Sequence, residues 1–536
     1  MSNQIQPIFI LPEGSNRTTG KDAQRNNIMA AKAVAESVRT TLGPKGMDKM
    51  LVDSMNEVIV TNDGVTILKE MQVEHPAAKM IVEVAKTQED EVGDGTTTAV
   101  ILTGELLKNA EKLLDDNFHP TIISKGYRKA AEKSIEILNS MSTKIDGNKE
   151  ILRNIAITAM TGKGAEIAKE KLSNITVEAI LQIFDNNEID LDLVKIEKKT
   201  GESVDNSELI MGIVIDKERV HPGMPKRVEN ARIALLDAQL EIKNTEIDAK
   251  IQITSPDQLD LFLQQEEKIL KNMANKVIDS GANVLICQKG IDDLAQHYLA
   301  KAGVYAVRRV KKSDMEKIAK ATNAKIVNNL KELSSDDLGN AGLVEAKKVG
   351  DEEMTYIREC KEAKAVTILI RGGTNHVIDE VERAVKDALG DVSVAIKDNK
   401  VLPGAGACEI ELAKELRKFA GNLSGREQIA ILSFADAVEI IPRTLAENSG
   451  FDPIDILTEL KAQHASNMNI GINVFTGRPI DSIKEGIIEP LRIKTQAIKS
   501  AAEVSELILR IDDVIASGRG NSSPQSGMPH QGMPDM

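Results

Sequence analysis

The strongest constraint on the fold is a change of texture along the chain, with helical patterns at both ends and strands alternating with helices between them. Over the first 145 residues apolar positions recur every three or four residues. In "NNIMAAKAVAESVRTTLG", for example, Ala31, Val34, Ala35, Val38 and Leu42 share one face before Gly43-Pro44 stops the helix. From about residue 190, strands such as "LVKIEKK", "ARIALLDAQLEI" and "ANVLICQK" take turns with helices near 256–280 and 291–302, the signature of a layered α/β unit. After "AVTILIRGG" (365–373) the pattern is helical again to about 515. One domain split by an inserted segment is compatible with that order.

Composition narrows the function. A net charge of −14 argues against a nucleic-acid coat, and 2% aromatic residues with no Trp argue against base-stacking platforms. Cys287, Cys360 and Cys408 are far apart and form no CxxC pair, which fits a reducing cytosol. The seven histidines have no paired ligand spacing, so a zinc site is not expected. No apolar run reaches membrane-spanning length and no leader pattern opens the chain, so the expectation is a soluble, cytoplasmic protein.

Chemistry concentrates in glycine-rich turns. "EVGDGTTTAV" (91–100) puts Asp94 between glycines and Thr96, Thr97 and Thr98 at the start of a helix. Helix starts expose unpaired N–H groups and favour anions, above all phosphate. Asp94 would repel phosphate unless a cation stood between them, and Mg²⁺, which binds through few carboxylates, waters and phosphate oxygens, suits that place. A plain turn before an N-capped helix accounts for the same segment. "TLGPKGMDKM" (41–50), "NDG" (62–64), "MTGKGAE" (160–166) and "LPGAGACEIELAKEL" (402–416) have the same character. We read the NDG as a turn between two short strands in "EVIVTNDGVTIL". No GxxxxGK[ST] occurs, and Glu409 breaks a GxGxxG pattern. Each loop alone is a turn; together they point to an ATP site of an uncommon type.

A further stretch is ambiguous. Ile247, Ala249, Ile251 and Ile253 alternate as in an edge strand, and a helix from Ser255-Pro256 carries Leu259, Phe262, Leu263, Ile269, Leu270 and Met273 at helical spacing. The pattern admits core packing or an apolar arm that meets another subunit or a client. The Gly-, Pro- and Ser-rich tail, about 517–536, is expected to be disordered.

"RTTGKDAQRNNI", "TLGPKGMDKMLVD", "VTNDGVTILKEM", "VGDGTTTAVIL", "FHPTIISKGY", "TGKGAE", "ILIRGGTNHVIDEVERAVKDAL" and "GINVFTGRPIDSIKEGIIEP" follow one another in the order and spacing of group II chaperonins. This class contains the archaeal thermosome and the eukaryotic cytosolic chaperonin, and the chain resembles an archaeal thermosome subunit most. The resemblance covers about 7–515. It implies a multidomain fold: a mostly α-helical equatorial ATPase domain (1–145 and 402–536), a small intermediate hinge domain (146–213 and 366–401), and an α/β apical substrate-binding domain (214–365). The apical domain would carry a helical lid protrusion at about 243–275.

The same resemblance implies an ATP-dependent chaperone, with ATP and Mg²⁺ as cofactors. Identical or paralogous subunits would form two stacked rings of eight or nine, enclosing non-native client proteins without a separate lid co-chaperonin, nucleic acid or membrane. Thr41, Leu42, Gly43, Pro44 and Gly46 then resemble the nucleotide-cradling loop, Asp94 the Mg²⁺ ligand, and Gly95, Thr96, Thr97 and Thr98 the phosphate donors. Asp63 and Asp387 resemble the catalytic pair that positions and activates water, and Lys163 the nucleotide-sensing lysine. Gly404 and Gly406 match glycines near ribose and base, Asn473 an adenine-side contact, and Glu489 an acid on the ribose. Because Asp387 falls in the hinge, its movement would couple catalysis to closure. Two departures stand out: Ala405 interrupts a usual triple glycine, and "KDNK" (397–400) replaces the more common "EDGK". The rival readings are a ring-forming holdase with little turnover, motivated by Ala405, and a small-molecule ATP enzyme or kinase, against which the absence of a kinase motif set counts.

Overall fold

The computed structural model describes residues 16–52, 55–185, 188–242, 256–349, 352–360 and 364–516. The expected edge strand over 247–253, the first part of the 243–275 protrusion and the 517–536 tail lie outside the described residues. Three sets of elements bury separate apolar cores.

The first set is helical and draws on both ends of the chain. Its early helices are α1 (Gly20–Arg39), α2 (Gly64–Glu70), α3 (Pro76–Val92), α4 (Thr96–Asp115) and α5 (Pro120–Met141). They share one core, from Ile28 to Leu509, with helices that follow residue 402. Strand Asn16–Thr19 pairs antiparallel with Asp513–Ala516, tying the described ends together. "VTIL" is not a strand: residues 64–70 are helical, because Asp63 caps the helix and Val65, Ile67 and Leu68 are buried. Packing has overridden the β preference of this β-branched run.

The second set contains α6 (Lys149–Met160) and α7 (Lys169–Ile183). They pack beside strand Val366–Gly372, which pairs parallel with Val194–Thr200 and antiparallel with Glu208–Ile210.

The third set is a seven-stranded sheet. Alternation of side chains explains why it is covered on both faces. Ile233, Leu235, Val284, Ile286, Tyr305 and Val307 enter one core, while Ala234, Leu236, Leu285, Cys287 and Ala306 enter the other. On the latter face lie α8 (Pro256–Asp279) and α9 (Asp293–Lys301); on the former lies α10 (Lys312–Thr322). Core packing accounts for the second half of the α8 stripe, while its first half faces outward. Leu270, Ala274 and Val277 are buried, whereas Leu261 and Leu263 are 65% and 51% exposed.

The chain then returns through α11 (Asn375–Asp398), α12 (Ala407–Gly421), α13 (Arg426–Val438), α14 (Ile440–Asn448), α15 (Pro453–Gln463) and α16 (Leu491–Leu509). Periodicity missed the short strands interleaved here, Lys400–Pro403, Ile470–Ile472, Pro479–Asp481 and Ile488–Pro490. Asn399 in "KDNK" ends α11 in the left-handed region at φ +53°. Its side-chain oxygen accepts from the N–H groups of Ile145 (3.2 Å) and Asp146 (2.9 Å), a clamp that glycine could not make.

Candidate functional site

Loops from both ends of the chain and from the α6–α7 connection surround one cavity of about 590 Å³, within the usual range for small-molecule sites. Thr41, Leu42, Gly43 and Pro44 line it, while Gly46 sits behind them and closes the turn by donating its N–H to the Gly43 carbonyl (2.8 Å). Asp63 is held by its own helix start: one carboxylate oxygen accepts from the Thr66 N–H (3.0 Å) and hydroxyl (2.6 Å), and the other from the Thr96 hydroxyl (3.3 Å). Beside it, Asn62 Nδ2 donates to the Gly162 carbonyl at 2.9 Å, fixing the loop that carries Lys163.

Gly95 caps α4 and Gly406 caps α12, both in the left-handed region and with no side-chain cap. By contrast α3, α5 and α6 are capped by His75, His119 and Asn148. Gly95, Thr96, Thr97, Thr98 and Gly406 all line the cavity, which therefore meets two helix starts without side-chain acceptors. Gln88 holds the Asp94 loop in place by donating to the carbonyls of Asp94 (2.9 Å) and Ile493 (3.2 Å).

Helix α11 reaches this loop through a backbone contact. A Cβ added to Gly93 would lie 3.1 Å from Gly390 Cα, so a side chain at that point would force the two apart. The contact sets Asp387 and Asp391 near Asp94. Lys163 Nζ lies 2.5 Å from Asp387 and 3.5 Å from Asp94. Burial works to lower the Lys163 pKa, but Asp387 and Asp94 outweigh it and hold the ammonium charged. Asp387 is pushed up to about 7 by burial and by the Asp94 and Asp63 charges, against the pull of Lys163. Asp391 rises well above the carboxylate range through burial first and Asp94 second.

On the far wall, Glu489 and Glu409 share the buried Lys494 ammonium at 2.7 and 2.8 Å. Burial raises the Glu489 pKa, with Lys494 opposing. Gly404 does not line the cavity but backs this wall, and a Cβ there would lie 3.0 Å from Glu489 Oε1. Asn473 lines the cavity, with its oxygen engaged by the N–H groups of Phe475 (2.9 Å) and Thr476 (3.1 Å). A contact from its side chain to a ligand is therefore made by Nδ2.

Ala405 lines the cavity at φ +56°, a conformation that costs a non-glycine residue about 1 kcal/mol or more. Its carbonyl accepts from the Ile472 N–H at 2.9 Å, which holds the strain in place. Ala405→Gly is expected to raise the free energy of unfolding by about 1 kcal/mol, read from the denaturant midpoint. A lowered midpoint would show that the methyl group contributes packing worth more than the strain.

The sequence reading missed Asp391, Lys494, Glu409, Gln88 and Asn62 as parts of this site. Asp391 was within reach of it, lying one helical turn after Asp387 on the same face. Nothing in the spacing of Glu409 and Lys494 signals that they meet.

The residues fit a phosphate-bearing ligand with one cation. Two helix starts offer donors, the cavity has nucleotide dimensions, and the buried Asp391 Oδ1 has no hydrogen-bond partner among the described residues. Among those residues no cluster of three or more His, Cys, Asp or Glu could by itself hold a metal. Mg²⁺ needs no such cage when phosphates and water complete its shell. Among the described residues, no helix is long and apolar enough to cross a membrane.

Comparison with known proteins identifies the family. The model of the TCP-1/cpn60 chaperonin family matches residues 34–519, a span that includes every loop around the cavity. The thermosome beta subunits of Methanothermobacter thermautotrophicus and Archaeoglobus fulgidus are each 60% identical to the chain, over 99% of it and 98% and 99% of their own lengths. The alpha subunit of Archaeoglobus fulgidus is 60% identical over 96% of this chain and 95% of its own. With a family match over residues 34–519 and these near full-length relatives, the chain belongs to the TCP-1/cpn60 chaperonin family.

Proposed function

We propose that this protein is a cytoplasmic, ATP-driven chaperone subunit of the group II type, which assembles into a double ring and closes it over non-native proteins with its own lid. The observation that carries this reading is the convergence of two helix starts without side-chain caps, Asp63, Asp94 and Lys163 on one cavity, with Asp387 not lining it but paired to Lys163 at 2.5 Å. Thr96, Thr97 and Thr98 seat the phosphates of ATP. Asp94 holds Mg²⁺, which when bound neutralises charge on the phosphate oxygens. Asp63 and Asp387 orient the attacking water and accept its proton, a role that suits a carboxylate whose pKa lies near neutrality. The Gly404–Gly406 loop, Glu489 and Asn473 meet ribose and base.

We assign the three cores to an equatorial domain (1–145 and 402–536), an intermediate domain (146–213 and 366–401) and an apical domain (214–365). On this division Asp387 belongs to the intermediate domain and Lys163 pairs with it there, so movement of that domain carries both relative to Asp94. The exposed apolar half of α8 forms part of the lid at about 243–275. Ala405 favours a second reading, a holding scaffold with little turnover. Negative-stain imaging and light scattering of the purified protein are expected to reveal a double ring, and a purely monomeric species would refute the chamber. Mg-dependent ATP turnover, with ATP-dependent protease protection of α8, separates the chamber from the scaffold.

A further inference from the structure

Asp391 has no part in the reading above, yet it is the least satisfied acid in the cavity wall. It lines the cavity, is 3% exposed, and its Oδ1 has no hydrogen-bond partner among the described residues. A buried carboxylate oxygen without a donor is costly unless an ion completes it. The surroundings do not supply that ion. Among the described residues, Asp94 and Asp387 pair with one cation, Lys163, whose ammonium reaches Asp387 at 2.5 Å and Asp94 at 3.5 Å, while Asp63 and Asp391 make no ion pair. The carboxylates thus outnumber the cation that serves them, and Asp391 is left without a share.

Asp391 and Asp94 are also brought together by the backbone. Each directly follows one of the two glycines in contact, Gly390 and Gly93, so the loop after α3 and the middle of α11 present their acids at one point of closest approach. Both acids line the same cavity. We propose that Asp391 is a second carboxylate for the cation held at Asp94, so that this chain binds a divalent cation before nucleotide enters. A small hard cation is held by one or two carboxylates with waters and phosphate oxygens completing its shell, and before nucleotide enters, water would fill the phosphate places. The inference rests on the reading of Asp94 as a cation ligand.

Mn²⁺ serves as the probe, titrated into the nucleotide-free oligomer and followed by the electron paramagnetic resonance of the free ion. Wild type is expected to bind Mn²⁺ about tenfold or more tightly than Asp391→Asn, the size of effect seen when a group supporting a metal is lost. Asp391→Val should match Asp391→Asn, with circular dichroism melting confirming that both variants are folded. Equal Mn²⁺ affinity in wild type and Asp391→Asn overturns the proposal and leaves Asp391 a neutral, protonated filler. Asp94→Asn separates the two levels of argument. If it abolishes Mg-dependent ATP binding while Asp391→Asn changes nothing, only the second carboxylate fails. If Asp94→Asn retains Mg-dependent ATP binding, the reading of Asp94 fails and the second carboxylate falls with it.

Discussion

Asp387→Asn is expected to lower kcat for Mg-dependent ATP hydrolysis by about 10²- to 10⁴-fold, the usual contribution of a positioned proton acceptor. The change keeps the shape of the side chain and removes its charge and basicity. Lys163 retains Asp94 within 3.5 Å, so the loop keeps an anchor and nucleotide affinity should change little. The pH profile supplies a second readout. Asp387 is pushed up to about 7, and only its ionised form accepts a proton. The wild-type rate should therefore fall as pH drops below about 7, with a cation at Asp94 moving that limb downward. In Asp387→Asn the limb should disappear from the residual rate. Turnover close to wild type would remove Asp387 from the chemistry.

Lys494→Met tests the far wall and is expected to destabilise the protein by about 3 kcal/mol, because it leaves the buried Glu409 and the half-buried Glu489 without their cation. Lys494 is 6% exposed, Glu409 5%, and both glutamates lie within 3 Å of its ammonium. The direction with pH follows from burial. Glu489 already has a raised pKa in the folded state, and losing Lys494 raises it further. A raised carboxyl pKa means that the folded state holds a proton the unfolded chain has released, so stability falls as pH rises above about 4.5. Guanidinium unfolding of Lys494→Met should thus show a larger deficit at pH 7 than at pH 5. Adding Glu489→Gln should restore part of the loss. A loss below about 1 kcal/mol would mean that water reaches the pair.

The sequence disclosed most about elements whose period is long and whose partners are near. The amphipathic stripes of α1 and α4 and the β/α alternation of the central sheet are readable because each depends only on local spacing. The strand expected in "VTIL" failed because four apolar or β-branched residues satisfy either period; Asp63 as a cap and the burial of Val65, Ile67 and Leu68 decided it. The site divided in the same way. The loops at 43, 63, 94, 163 and 404 were visible through their glycines, but Asp387 entered only by resemblance, since an acid on a helix face is ordinarily solvated. Lys494 was invisible for a different reason. Its meaning lies in Glu409 and Glu489, and only the fold places them around one ammonium.

The helical core that unites residues 28–141 with residues 402–509 bears on how the molecule is made. A chain leaving the ribosome presents α1 to α5 long before their partners exist. More than 250 residues separate Met141 from Leu402, and at roughly 5–20 residues per second that interval lasts tens of seconds. Throughout it, the apolar stripes of the early helices face water or one another. The inserted sheet, whose strands and helices lie within 212–358, can close meanwhile. Birth order therefore reverses sequence order: the middle of the chain settles first, and its beginning must wait for its end.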